Sequence, residues 1–183
     1  VTSLVAGVSP FLEGFGNAKT TMNNNSSRFG KFTKIIFENG IIVGAKMERY
    51  LLEKNRLCDQ GIHERNYHVF YGLIKGASVE ERKRYNLARI EDYDILMHGK
   101  TPVIETESAT YDEDRMNNPL SESPDDTGYR AALKAAGLDD KARRVLWDSL
   151  VGILELGNVN FKTVKDEKGN ESSQVSNLDI CKR

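Results

Sequence analysis

Asn23-Asn24-Asn25-Ser26-Ser27-Arg28-Phe29-Gly30-Lys31 is the stretch on which the reading turns. Amides, hydroxyls, a guanidinium and a glycine stand together with almost no apolar content. Such a run cannot offset the entropy of its own ordering by burying apolar surface. It is too polar for a strand interior and too rich in Asn and Ser for a helix interior. It reads as a loop whose polar groups need an external partner. Side-chain amides, and backbone N–H groups near a glycine, suit phosphate oxygens, and a serine hydroxyl suits a hard cation such as Mg2+. The same composition also makes ordinary surface turns. Asn24-Asn25-Ser26 and Asn25-Ser26-Ser27 further match the short glycosylation acceptor pattern, which has many chance matches.

The whole chain narrows the choice. Its 183 residues carry a formal net charge of -1, which implies no nucleic-acid or membrane partner. Hydrophobic content of 39% beside 29% charged residues is ordinary for a soluble, mixed α/β chain. At 20.6 kDa it can bury a core as one or two small domains. No apolar run approaches a membrane span, and the first residues lack the layout of a signal peptide. Cys58 and Cys181 stand far apart without metal-ligand spacing and read as reduced cytosolic thiols. His63, His68 and His98 form no ligand pattern. Gly14-Phe15-Gly16-Asn17-Ala18-Lys19-Thr20 superficially resembles the phosphate cradle G-x-x-x-x-G-K-[ST]. Ala18 occupies the second glycine position and Glu13 the first, so it is rejected as a cradle.

Working outward, Pro10 suits the first turn of a helix with Ser9 as cap, and Gly16-Asn17 ends it. After the polar loop, 31–37 and 41–52 read as two strands joined by the tight turn Glu38-Asn39-Gly40. Ile35-Ile36-Phe37 and Ile41-Ile42-Val43 are continuously apolar, which predicts a sheet covered on both faces. Lys54 and Arg56 read as structural ion partners. Residues 64–74 read as a helix with Tyr67, Phe70, Tyr71 and Ile74 on one stripe, and His68 as a packed core-edge histidine without a catalytic partner. Ser78-Val79-Glu80-Glu81 is a capping box opening a short helix to about Tyr85. Residues 98–126 read as an acidic surface insertion. Asp126 is expected to cap a helix to Ala136, closed by Gly137. Asp139 or Asp140 is expected to cap another to Leu156, closed by Gly157. In that last helix Ala142, Val145, Leu146, Ser149, Leu150, Ile153 and Leu154 form the predicted packed stripe, with Trp147 at its flank. A hairpin is expected around 166–170, and a further helix from Asn177.

Leu12-Glu13-Gly14-Phe15-Gly16-Asn17-Ala18-Lys19-Thr20 followed by Asn23 to Lys31 resembles the switch I region of the myosin motor domain, L-E-A-F-G-N-A-K-T, a spacer, then N-x-N-S-S-R-F-G-K. Gly14 replaces the usual Ala. Tyr50 to Arg56 is similar to the family's Y-L-L-E-K-S-R, with Asn55 for Ser. Glu64 to Ile74 is similar to E-R-N-F/Y-H-I-F-Y-Q-L-L, and Tyr93-Asp94-Ile95-Leu96 to Y-x-Y-L. Val145 to Phe161 resembles I-W-x-I-L-A-A-I-L-H-L-G-N-I-x-F, with Glu155 where His is usual. The resemblance covers roughly residues 9–162.

This resemblance implies a mixed α/β fold, part of a P-loop NTPase-type motor head. Its parts would be a switch I region (9–31), a central-sheet hairpin (31–52) and an upper, mainly helical subdomain with a C-terminal β-hairpin (62–183). It implies ATP and Mg2+ as ligands. Asn23 would hydrogen-bond phosphate oxygens, Ser26 would contact the γ-phosphate and attacking water, and Ser27 would ligate Mg2+. Arg28 would pair with a switch II carboxylate as a gate, and Gly30 would let the loop turn into the strand. Actin filaments are the implied partner of the intact head, in a cytoplasmic, cytoskeleton-associated protein, with any light chains outside this segment. Neither the phosphate cradle nor switch II D-x-x-G-F-E matches anything in these residues. The chain alone is therefore expected to bind MgATP weakly and to hydrolyse little. A non-catalytic myosin-like binding or structural module stays open, and the two motifs in flanking sequence discriminate.

Overall fold

The computed structural model describes residues 7–104 and 128–180. Helix α1 (Ser9–Gly16) carries Pro10 in its first turn, where a missing N–H costs nothing. Val8, not Ser9, takes the cap position: its carbonyl accepts from the Leu12 N–H at 3.1 Å. Two-residue strands β1 (Asn17–Ala18) and β2 (Ser26–Ser27) pair antiparallel, followed by the long hairpin β3 (Gly30–Glu38) and β4 (Ile41–Tyr50). A 3-10 turn (Lys54–Leu57) leads to α2 (His68–Lys75) and α3 (Val79–Arg84). Beyond a second 3-10 turn (Ile90–Asp92) come α4 (Asp94–Met97), α5 (Tyr129–Ala135), α6 (Asp140–Gly157) and the hairpin β5 (Phe161–Lys165) and β6 (Glu171–Val175).

The core is centred on α2. Each residue from His68 to Ile74 is buried, so this helix has no solvent face, and the predicted one-sided stripe is too narrow a description. It starts at His68 because Asn66 and Tyr67 are used otherwise: the Asn66 side chain donates to the carbonyls of Leu57 and Ile95 at 3.0 Å each. His68 is fully buried, and desolvation, then the nearby Arg65 charge, holds its imidazole well below the usual range. It is a neutral core residue.

In α6 the buried face is Trp147, Leu150, Val151 and Leu154, spaced i, i+3, i+4, i+7. This corrects the predicted stripe. Val145 is 56% exposed, and Trp147 belongs to the core, not its flank. An indole buries more apolar surface than an isopropyl group, which favours the rotation that brings it in. Asp139 caps this helix by accepting from the Ala142 N–H at 2.7 Å. Gly157 is its last helical residue rather than a left-handed stop. A Cβ there would lie 2.5 Å from Ile95 Cγ2, so the glycine permits α4 to approach. Gly137 does end α5 in the left-handed region, φ +79, with Leu138 N–H donating back to Leu133 O. The expected cap Asp126 lies outside the described residues, as do most of the acidic insertion and the chain beyond Ile180.

Ser78 and Glu81 form the predicted reciprocal cap of α3. The departure at Gly14 also has a physical account. The Tyr129 ring of α5 sits where a Cβ would be, its Cε1 only 2.4 Å away.

The β3–β4 hairpin turns through Asn39 and Gly40, both left-handed, with a bulge where the register shifts between Ile36 and Phe37. Its apolar side chains are not covered by the described residues: Phe32, Ile35, Phe37 and Ile41 are 51%, 52%, 59% and 68% exposed. Among the described residues the expected cover of both faces is not found.

Two glycines predict opposite outcomes. A Cβ on Gly99 would lie 1.9 Å from the backbone oxygen of Glu64, which cannot give way. Gly152 is exposed in the middle of α6 with nothing nearby. Urea denaturation should show Gly99→Ala destabilised by about 1–3 kcal/mol. Gly152→Ala should be stabilised by about 0.5–1 kcal/mol.

Candidate switch loop and its arginine–carboxylate anchor

The polar stretch is hung on a buried frame. Asn17 and Ala18 are buried, and pair with Ser27 and Ser26 respectively. Ala18 also bridges to Tyr67, and the Arg65 N–H donates to Lys19 O at 3.0 Å, so β1 is held from both sides. The Arg28 N–H extends the ladder to Gly16 O at 2.8 Å. Gly16 is required there because the Phe29 ring lies 2.1 Å from where its Cβ would stand.

Between the two short strands the loop closes on itself. The Thr20 N–H donates to Asn23 O, and the Asn23 N–H to the Thr20 hydroxyl. Asn23 Oδ1 accepts from the Asn25 N–H at 2.8 Å, an Asx turn. Asn25 is braced from below: its Nδ2 donates to Glu13 Oε2 and its Oδ1 accepts from Asn17 Nδ2. Asn23 and Ser27 stay exposed, while Ser26 and Arg28 are half-buried.

The two serines are differently engaged. The Ser27 hydroxyl donates to Phe29 O at 3.2 Å, which leaves its oxygen lone pairs available to a cation. Ser26 Oγ accepts from Arg28 Nη1 at 3.0 Å. Among the described residues no cluster of three His, Cys, Asp or Glu forms a metal cage. A Mg2+ ion at Ser27 would take most of its ligands from phosphate and water, its usual preference. A single exposed hydroxyl oxygen fits that role.

Arg28 itself reaches a residue not singled out in the sequence. Its Nε donates to Glu53 Oε2 at 2.6 Å. Glu53 comes alongside because Leu51, at φ 57, bends the chain sharply after β4, and the Glu53 N–H then donates to Arg28 O. The same Oε2 accepts from Arg56 Nε at 2.8 Å. Arg56 is buried and also donates to Glu64 Oε2 and Arg65 O, the structural role expected of it, whereas Lys54 is exposed. Burial pushes the Glu53 carboxyl up, but hydrogen bonds and charge from Arg56 and Arg28 outweigh it and hold the group below its ordinary value. Burial lowers Arg56 less than Glu53 and Glu64 raise it.

The sequence-derived candidates Asn23, Ser26, Ser27 and Arg28 thus lie along one loop and its second strand. Glu13, Asn17, Asn25 and Glu53 were missed as its supports. The i, i+3 spacing of Glu53 and Arg56 was a readable signal for an ion pair, but nothing local in sequence links Glu53 to Arg28.

Residues 1–182 match the family profile described as myosin head (motor domain). The chain belongs to the myosin head family. It is 39% identical to unconventional myosin-IXa of Mus musculus, over 99% of this chain and 7% of that protein. To unconventional myosin-VI of Bos taurus it is 38% identical, over 94% of this chain and 15% of the relative. To unconventional myosin-IXb of Rattus norvegicus it is 40% identical, over 91% and 8%. The chain therefore spans a small part of the length of the myosins it matches. Membership accords with the mixture of helices and hairpins seen here, and no described helix is long and apolar enough to cross a membrane.

A carboxylate held below its ordinary value contributes stability that is complete above that value, 4.5 for Glu53, and is lost as pH falls through the lowered one. Acid denaturation followed by circular dichroism should therefore show a steeper loss below about pH 4.5 in the native chain than in Glu53→Gln. Equal slopes would show that the pair adds nothing to folding.

Proposed function

We propose that this chain supplies the switch I loop of an actin-based motor ATPase, within a P-loop NTPase-type head, and that the loop closes on MgATP. The supporting observation is an exposed polar loop with free amide and hydroxyl capacity, suspended from a buried strand pair and anchored through Arg28 to the core. In phosphoryl transfer a protein mostly positions groups and stabilises charge. Asn23 donates amide hydrogens to phosphate oxygens. Ser26 directs its hydroxyl to the γ-phosphate and attacking water. Ser27 offers its oxygen to Mg2+, which when bound offsets negative charge on the phosphates. Arg28 presents its free guanidinium edge to a switch II carboxylate elsewhere in the head.

Chain order supports a mechanical link between loop and hairpin, through which hydrolysis would couple to actin binding. Strand β3 begins at Gly30, two residues beyond Arg28, so a shift of the loop pulls directly on the hairpin. The exposed apolar faces of that hairpin would be covered by other strands of the head's sheet. The protein would act in the cytoplasm on the cytoskeleton. These residues alone match no phosphate-cradle motif and would show little or no ATP hydrolysis.

Arg28→Ala in the full-length motor tests this reading. Its steady-state ATPase should fall by about a hundredfold, the scale on which loss of a closing contact that positions the reacting groups slows catalysis, while affinity for nucleotide changes little. Unchanged turnover would sink the gate and favour a non-catalytic scaffold.

A further inference from the structure

We propose that Glu53 is a positioning residue for the switch loop: pinned by Arg56, it orients Arg28 so that the Ser26 hydroxyl is held as an acceptor and its hydrogen is left for the nucleotide. This rests on the function proposed above. Arg56 is 4% exposed and is fixed by four hydrogen bonds, two to Glu53 and one each to Glu64 and the Arg65 carbonyl. A buried guanidinium so satisfied cannot follow a moving loop, so the Glu53 carboxylate it grips is stationary. Of the two guanidiniums on Glu53, Arg28 is the more exposed, 28% against 4% for Arg56, so it is the one able to leave.

Guanidinium geometry carries the rest. The group is planar and rigid, so fixing Nε against Glu53 at 2.6 Å restricts where the terminal nitrogens lie. Nη1 then stands 3.0 Å from Ser26 Oγ. Arginine can only donate, so the serine oxygen must accept, and this contact leaves the serine's single hydrogen unused. Without Glu53 the guanidinium is free to rotate, and Ser26 can turn its hydrogen elsewhere. Two arginines face two carboxylates, Glu53 and Glu64, so the cluster is charge-balanced while Arg28 keeps an edge for a further acceptor.

The test is a double-mutant cycle in the full-length motor, read by steady-state MgATP turnover and by affinity for a fluorescent MgADP analogue. Glu53→Gln should lower kcat about tenfold, less than the roughly hundredfold of outright misplacement because Gln keeps one acceptor oxygen, with nucleotide affinity unchanged. In an Arg28→Ala background Glu53→Gln should cost nothing more. Arg28→Lys leaves the Glu53–Arg56 pair untouched but lacks the fork that spans Glu53 and Ser26, so it should lose about the same tenfold. If Glu53→Gln does not fold, Arg28→Lys decides, and full activity there overturns the proposal. Losses that multiply in the double variant, or a silent Glu53→Gln beside a crippled Arg28→Ala, overturn it while leaving the loop's function standing. A silent Arg28→Ala instead removes the functional reading, and the role of Glu53 with it.

Discussion

A single carboxylate ties the polar loop of this structure to its core. Glu53 lies between Arg28, which belongs to the polar loop, and Arg56, which belongs to the buried interior. Ion pairs at a surface are worth little, but this one has a desolvated partner on one side and shares one oxygen between two guanidiniums. Removing the carboxylate would leave Arg56 buried with half its anions, a costly state. The loop is therefore tethered to something that cannot easily yield. Strand pairing tethers its other end: Ala18 bridges to Tyr67, Lys19 O accepts from the Arg65 N–H, and Asn17 and Ala18 set the positions of Ser27 and Ser26. Between these two tethers the chain is free to present side chains outward.

That arrangement explains why so polar a run can be ordered without a core of its own. Glu13 and Asn17 hold Asn25, and Asn23 closes an Asx turn on the same residue. Further supports come from the helix before the loop and the segment after the hairpin. Part of the loop's ordering entropy is thus offset by contacts to neighbouring elements.

Local chemistry was legible in the sequence where the signal was local. The Asn39-Gly40 turn, the Ser78–Glu81 box, the Gly137 stop and the Asp139 cap each depend on a few adjacent residues, and each stands where the pattern placed it. Signals that depend on a third element were not. The buried face of α6 is rotated because Trp147 packs inward, a choice made by the surrounding helices. Gly157 was read as a stop, yet it is a contact glycine facing Ile95. Ser9 lost its cap role to Val8 by one residue. In the site, residue types in 23–28 pointed to phosphate and metal chemistry, but Glu53 is 25 residues from Arg28 and only folding reveals the pair. The apolar hairpin is the opposite case: its sequence demands cover that the described residues do not provide.

The most direct measurement is a crystal structure of the full-length motor head with Mg2+ and a non-hydrolysable ATP analogue. The account predicts the Ser27 oxygen among the metal ligands, the Ser26 hydroxyl on the γ-phosphate, and Arg28 still seated on Glu53. A nucleotide bound elsewhere, with both serine hydroxyls turned into protein, would contradict it.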